Sequence, residues 1–329
     1  LKQLISSLPQ HLGHALSLGQ NTSLKPSPKA IQQVLILGLG GSGIGGSILA
    51  DLMAGTCPVS VSVTKNYSIP AFVGPHTLVL VCSYSGNTEE TLSALRQAQQ
   101  KGAQIACISS GGKVKAIAEK EGYNCLSMPG GNPPRSMFGY SFAFLLQYFN
   151  FYGLTDVDYT AELTAAASLL ETTQNALQAE AQKLAENLKD TTVQILAVDG
   201  TGGVAARWRQ QLNENAKMLC WQAVIPEMNH NELVGWEGGS EKFSALFLRH
   251  ASDYERNQKR IEICKEIIGQ KTPHVYEVWS KGDSAIQRAL YLIHLGDWVS
   301  FYLAELNQVD IIDIKSIDLL KSELSKIEM

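Results

Sequence analysis

The apolar run Val34-Leu35-Ile36-Leu37 passes directly into the segment GLGGSGIGG at positions 38–46. Four consecutive apolar residues suit a strand buried on both faces, the environment of a parallel sheet covered by helices. The glycines supply a tight turn, and a helical pattern then continues to about position 55. Strand, glycine turn and helix in that order leave backbone N–H groups at a helix start, where an anion is received.

The alternation persists. Strands are expected at 59–63, 77–82, 104–108 and 125–128, with helical patterns at 88–101 and 113–121 between them. A βαβα series implies a parallel, doubly wound sheet. Ahead of it, positions 1–18 read as one helix. A long alanine-rich helix at 158–188 reads as a bridge into a second round, with strands at 193–198, 243–248 and 274–278 and helices at 202–219, 253–268 and 284–306. The tail at 314–327 spaces Ile317, Leu320 and Leu324 as an amphipathic helix. Both rounds carry a glycine turn after their first strand, Gly40-Gly41-Ser42 and Gly200-Thr201-Gly202-Gly203, which suggests duplication. A chain of 329 residues also exceeds what one core usually organises. The expected organisation is an α/β protein of two doubly wound, flavodoxin-like domains, at 1–153 and 154–329, the second ending in a C-terminal helix.

The charge balance narrows the partners. Lys and Arg number 27 and Asp and Glu 31, a formal net charge of −4 without a basic block. That argues against a nucleic-acid surface, which needs clustered cations to neutralise phosphates. The six cysteines are dispersed with no C-x-x-C pair, and the seven histidines are scattered, so neither a disulfide framework nor a zinc site is expected. No apolar run reaches transmembrane length and no leader pattern opens the chain, so the expected location is the reducing cytoplasm.

The glycine segment contains G-x-G-x-x-G at Gly38, Gly40 and Gly43, which raises a dinucleotide reading. That reading needs a carboxylate at the end of the second strand to hold a ribose. Here that strand ends Val63-Thr64-Lys65-Asn66. An anion cradle without a nucleotide survives, and no cofactor is expected.

The strand at 77–82 runs into Ser83-Tyr84-Ser85-Gly86-Asn87-Thr88. Thr88, followed by Glu89, Glu90 and Thr91, suits a capped helix start. Capping accounts for Thr88 alone, not for Ser83, Ser85, Gly86 and Asn87 together. Hydroxyls and free N–H groups at the C-terminal edge of a parallel sheet suit a phosphate monoester. G-G-S-G after one strand and S-x-S-G-N-T after a later one resemble the signature of the sugar isomerase (SIS) domain. The resemblance implies that Gly41, Ser42, Ser83, Ser85 and Thr88 hold a substrate phosphate.

Three further segments bear on whether chemistry follows capture. In PGGNPPRSMFGYSF (129–142) a rigid Pro-Pro turn aims Arg135. In LNENAKM (212–218) Glu214 stands between two asparagines, and spacing alone serves an exposed Glu214–Lys217 pair as well as a catalytic carboxylate. In PEMNHNELVGW (226–236) His230 sits in a dense polar patch with Asn229, Asn231 and Glu232. All three, in order and spacing, resemble the bifunctional phosphoglucose/phosphomannose isomerase family over essentially the whole chain. The resemblance implies a metal-independent aldose–ketose isomerase acting on glucose 6-phosphate, and on mannose 6-phosphate, to give fructose 6-phosphate. It implies Glu214 as general base, His230 as the ring-opening group, Arg135 as the enediolate stabiliser, and Lys321, in the I-D-x-L-K pattern, as a further site residue. It also implies a homodimer in which His230 enters the neighbouring subunit's site. Family members discussed as accepting both epimers carry a Thr seven residues before that Lys, where this chain has Ile314. A phosphosugar-binding regulator would share the cradle and need neither Glu214 nor His230.

Overall fold

The computed structural model describes residues 1–327. The first half runs α1 (Lys2–Ser6), α2 (Leu8–Gln20), β1 (Gln33–Leu37), α3 (Gly40–Met53), β2 (Ser60–Thr64), β3 (Thr77–Cys82), α4 (Glu89–Gln100), β4 (Gln104–Ser109), α5 (Gly112–Glu121), β5 (Asn124–Ser127) and α6 (Phe138–Phe151). The second runs α7 (Tyr159–Leu188), β6 (Thr192–Val198), α8 (Gly202–Ala216), β7 (Cys220–Ile225), α9 (Glu232–Gly235), β8 (Phe243–Arg249), α10 (Glu255–Gly269), β9 (Val275–Trp279), α11 (Ala285–Leu306) and α12 (Lys315–Leu324).

The first sheet has the order β2-β1-β3-β4-β5 and the second β7-β6-β8-β9, with every pairing parallel. In each, the first strand lies inside and the chain crosses to opposite sides of it, so the two halves share one winding. Register pairs Leu35 with Val79 and Ile195 with Leu246, and all four are wholly buried. Continuous apolar strands are what such doubly covered sheets demand. The strand order reverses between β1 and β3, and a crevice opens outside the carboxyl ends of the strands at such a switch.

Three elements depart from expectation. The N-terminal helix is two, α1 and α2, meeting at Ser7. The helix expected to reach 219 stops at Ala216, because Lys217 adopts a left-handed backbone (φ 57°, ψ 33°) and turns the chain out. The residues beyond it form β7, an edge strand absent from the sequence reading. Its Cys-Trp-Gln-Ala-Val-Ile pattern is mixed because much of it is only half-buried.

Helices weld the halves together. Asp158 accepts hydrogen bonds from Thr160 N and Ala161 N, capping α7 as it leaves the first half. α11, buried along most of its length, packs on α7 and α8. α3 of the first half packs on α8 of the second. The contact needs a glycine: a Cβ on Gly203 would lie 2.9 Å from Ile48 N.

Candidate active site

The cradle forms where β1 and β3 end. β1 delivers Gly40, Gly41 and Ser42 to the first turn of α3; Ser42 N donates to Leu39 O at 3.1 Å, while the N–H groups of Gly40 and Gly41, at the very start, have no carbonyl partner within the helix. β3 delivers Ser83–Thr88 to the start of α4. Gly86 is left-handed (φ 69°), and a Cβ there would run into the carbonyl oxygen of Gly111, so the turn is restricted to glycine. The hydroxyls are set by backbone donors. Ser42 Oγ accepts from Tyr84 N at 3.0 Å and Ser85 Oγ from Asn87 N at 3.2 Å, which leaves each O–H hydrogen free to donate. Ser83 Oγ and Thr88 Oγ1 lie 3.1 Å apart. Thr88 stands at the N-cap position of α4 but makes no side-chain cap. The capping account of Thr88 is therefore corrected: its hydroxyl turns to Ser83.

Arg135 lies directly against this cradle. A Cβ on Gly41 would come within 3.0 Å of both Arg135 N and Arg135 Cα, so the cradle glycine allows the two backbones to touch. The Pro133-Pro134 turn starts the short 3₁₀ segment Pro134–Met137, which aims the arginine inward. Only 4% exposed, Arg135 donates through Nη1 to Glu214 Oε1 (2.8 Å), Nε to Asn215 Oδ1 (2.7 Å) and Nη2 to Ile311 O (2.7 Å). A guanidinium has five N–H groups, so two remain for a ligand. Burial lowers the Arg135 pKa and Glu214 opposes that shift; the group stays a cation.

The Glu214 carboxylate is 30% exposed, open on one side and held on the other. The suggested Glu214–Lys217 ion pair does not form. Lys217 Nζ instead donates to the main-chain carbonyls of Glu214 (2.6 Å) and Asp313 (2.7 Å). Underneath, Arg207 Nη2 donates to Arg135 O (3.2 Å) and to Asp297 Oδ2 (2.7 Å), and Gln211 Nε2 donates to Asp297 Oδ1 (2.9 Å). Burial raises the Asp297 carboxyl pKa, while Arg207 and Gln211 pull it down. Sequence reading missed this buried support and Asn215. For Asn215 the signal was its place beside Glu214; for Arg207, Gln211 and Asp297 no local pattern announced it.

Gly41, Ser42, Ser83, Ser85, Thr88, Arg135 and Glu214 thus come together. His230 does not join them within the chain. It is exposed at the end of the 3₁₀ segment Glu227–His230, and among the described residues its side chain has no hydrogen-bond partner. Lys321 is exposed on α12, likewise without a side-chain bond to Arg135, Glu214 or the cradle among the described residues. A cavity of about 310 Å³ lined by Trp221, Trp236, Glu232 and Phe243 lies elsewhere, beside the starts of β6 and β8. Among the described residues, no group of three or more His, Cys, Asp or Glu could hold a metal ion.

The second glycine turn has a different fate. Gly203 N donates to Asp51 Oδ2 at 2.6 Å. The carboxylate comes from α3 of the first half, so the N-terminus of α8 already has its anion. Burial raises the Asp51 pKa, with the Gly203 N–H opposing.

A cradle of glycine N–H groups and hydroxyls at the switch point of one doubly wound sheet, with Arg135 of the same half held by Glu214 and Asn215 of the other, defines a sugar-isomerase-type α/β protein. Residues 29–152 match the family model described as SIS domain, and residues 177–324 match bacterial phospho-glucose isomerase C-terminal SIS domain. A bifunctional phosphoglucose/phosphomannose isomerase of Caldicellulosiruptor bescii is 39% identical over 98% of both chains. One of Aquifex aeolicus is 35% identical over 89% of this chain and 90% of its own. A hypothetical protein of Thermus thermophilus shares the fold, with a TM-score of 0.79 at 17% identity over 98% of this chain and 89% of its own. The chain belongs to the bifunctional phosphoglucose/phosphomannose isomerase family.

Proposed function

We propose that this protein interconverts glucose 6-phosphate, and more slowly mannose 6-phosphate, with fructose 6-phosphate, without a metal or cofactor. The observation that carries this reading is the Arg135–Glu214 pair set against Gly41 of the cradle. The phosphate is held by Ser42, Ser83, Ser85 and Thr88 and by the N–H groups at Gly41. Once the sugar ring is open, Glu214 takes the C2 proton of the aldose. The electron pair moves into a C1–C2 double bond and the carbonyl oxygen becomes an enediolate oxygen. The two unengaged N–H groups of Arg135 stabilise that charge, a role in which oriented donors are most effective. The O2 hydroxyl proton passes to O1, and Glu214 returns its own proton to C1, so the carbonyl re-forms at C2 and the ketose results.

His230 opens the ring, and Lys321 contributes from α12. The exposure of both side chains supports a homodimer in which His230 serves the neighbouring subunit. The halves divide at residues 153 and 154, and the enzyme works in the cytoplasm. Ile314, at the cap of α12, stands where mannose-accepting relatives are expected to carry Thr, so the mannose epimer reacts more slowly.

The test is fructose 6-phosphate formation from each epimer, with EDTA present and no nucleotide. Turnover of both, glucose faster, is expected. Phosphosugar binding without turnover would instead mark a regulator, and equal rates would remove Ile314 from the specificity argument.

A further inference from the structure

We propose that Asn215 is a positioning residue, which fixes the plane of the Arg135 guanidinium and so the place of the Glu214 carboxylate; its kinetic consequences rest on the isomerase reading above.

Asn215 and Glu214 are consecutive in the last turn of α8, and both grip the same guanidinium, at Nε and Nη1. A single hydrogen bond would leave that planar group free to swing. Two bonds from adjacent residues of one helix fix its plane, and the Ile311 carbonyl at Nη2 makes a third point. Asn215 is itself locked. Its Nδ2 donates to Ser300 Oγ at 2.9 Å, and Ser300 Oγ donates to Asp297 O at 2.7 Å. The hydrogen-bond direction is therefore single: only the amide oxygen can accept from Arg135 Nε, and a turned amide would set N–H against N–H. Asn215 and Ser300 are wholly buried, so neither touches a substrate.

An amide, rather than a carboxylate, suits the place. It accepts from Arg135 without neutralising the charge that the enediolate needs. It also keeps a second anion away from Glu214. The charged groups around Glu214 are Arg135 at 2.8 Å, Lys217 at its main-chain carbonyl, and the Arg207–Asp297 pair packed beneath Arg135; Asp313 meets Lys217 through its own carbonyl. A carboxylate at position 215 would be the negative neighbour nearest to the base.

The experiment compares Asn215→Ala and the isosteric Asn215→Asp with the parent by two readouts. The first, independent of turnover, is the rate of phenylglyoxal modification of Arg135, mapped by peptide mass. Release of Nε should make Arg135 react severalfold faster in Asn215→Ala, while Asn215→Asp keeps it protected. The second is steady-state kinetics on glucose 6-phosphate per folded enzyme. In Asn215→Ala, kcat should fall on the order of 10- to 100-fold, as misplaced catalytic groups cost, while KM and phosphate inhibition hold. Asn215→Asp should retain more activity and move the acid limb of its pH profile upward, because it adds a second carboxylate to the site. Parental Arg135 reactivity together with parental kcat in Asn215→Ala would overturn the proposal. So would a lowered melting temperature in both variants with unmoved pH limb and reactivity. A parent without isomerase activity would sink the isomerase reading, and the phenylglyoxal comparison would then decide the positioning role by itself.

Discussion

At the residue scale, the proposed site rests on hydroxyls, two of which, Ser42 and Ser85, accept from backbone N–H groups and keep their own hydrogens free to donate. Ser85 Oγ is pinned by Asn87 N, and Ser83 Oγ shares a hydrogen with Thr88 Oγ1. Hydrogen bonds to a charged partner contribute roughly 1.5–3 kcal/mol each. Replacing both Ser83 and Ser85 by Ala should therefore weaken inhibition by inorganic phosphate and raise the KM for phosphosugars in parallel. Unchanged phosphate inhibition in the double variant would remove these hydroxyls from the cradle. The arginine works differently. Its burial is tolerable because three acceptors and the Glu214 charge offset lost hydration, and removing one partner from a buried pair leaves an uncompensated charge.

At the element scale, the central strands and their glycine turns were legible in the sequence because their runs are uniformly apolar, as a doubly covered strand requires. β7 was not: it is an edge, half-exposed, and its start is hidden by a helix that ends only through the left-handed Lys217. The cradle residues were legible because they follow strand ends within a few positions. The grip of Arg135 on Glu214 and Asn215 was not, since it joins residues 79 and 80 positions apart. Elements also carry an acid liability. His250 follows the end of β8 and His294 lies within α11; burial, with Arg288 and Arg207 respectively, depresses both to about 4 from 6.5. Asp253 Oδ2 accepts from the main-chain N–H of His250 while its ring Nδ1 meets Ser280 Oγ, and Trp298 Nε1 donates to His294 Nε2, a bond that a protonated Nε2 could not accept. Their stabilisation is full above pH 6.5 and lost as pH falls toward 4, because the unfolded chain binds protons first. By pH 5 each should have lost about 2 kcal/mol. Urea unfolding at pH 7 and pH 5 should show that fall in the parent and a flatter response in His250→Gln/His294→Gln. Equal slopes would show that the two rings are not buried neutral.

At the scale of the whole molecule, the proposed site draws on two similarly wound halves that take different parts in it. The first keeps an open cradle; the second has its glycine turn closed by Asp51 and offers Glu214 instead. The proposed dimer extends that division between chains. Glu214→Gln and His230→Ala, unfolded and refolded together, should pair at random, giving about half mixed dimers, each with one intact site of two. Recovery near a quarter of parental activity is expected on symmetry alone; no recovery, with mixed dimers verified by mass, would place His230 in its own chain's site. The central claim is that phosphate capture and proton transfer are separate, with Glu214 performing the second. Its direct test is Glu214→Gln in D₂O with EDTA, followed by proton NMR of glucose 6-phosphate. Both loss of the C2 proton and fructose 6-phosphate formation should fall on the order of 10² to 10⁴ below the parent, with phosphate inhibition intact. Conversion within about threefold of the parent, far short of a lost general base, would contradict the account.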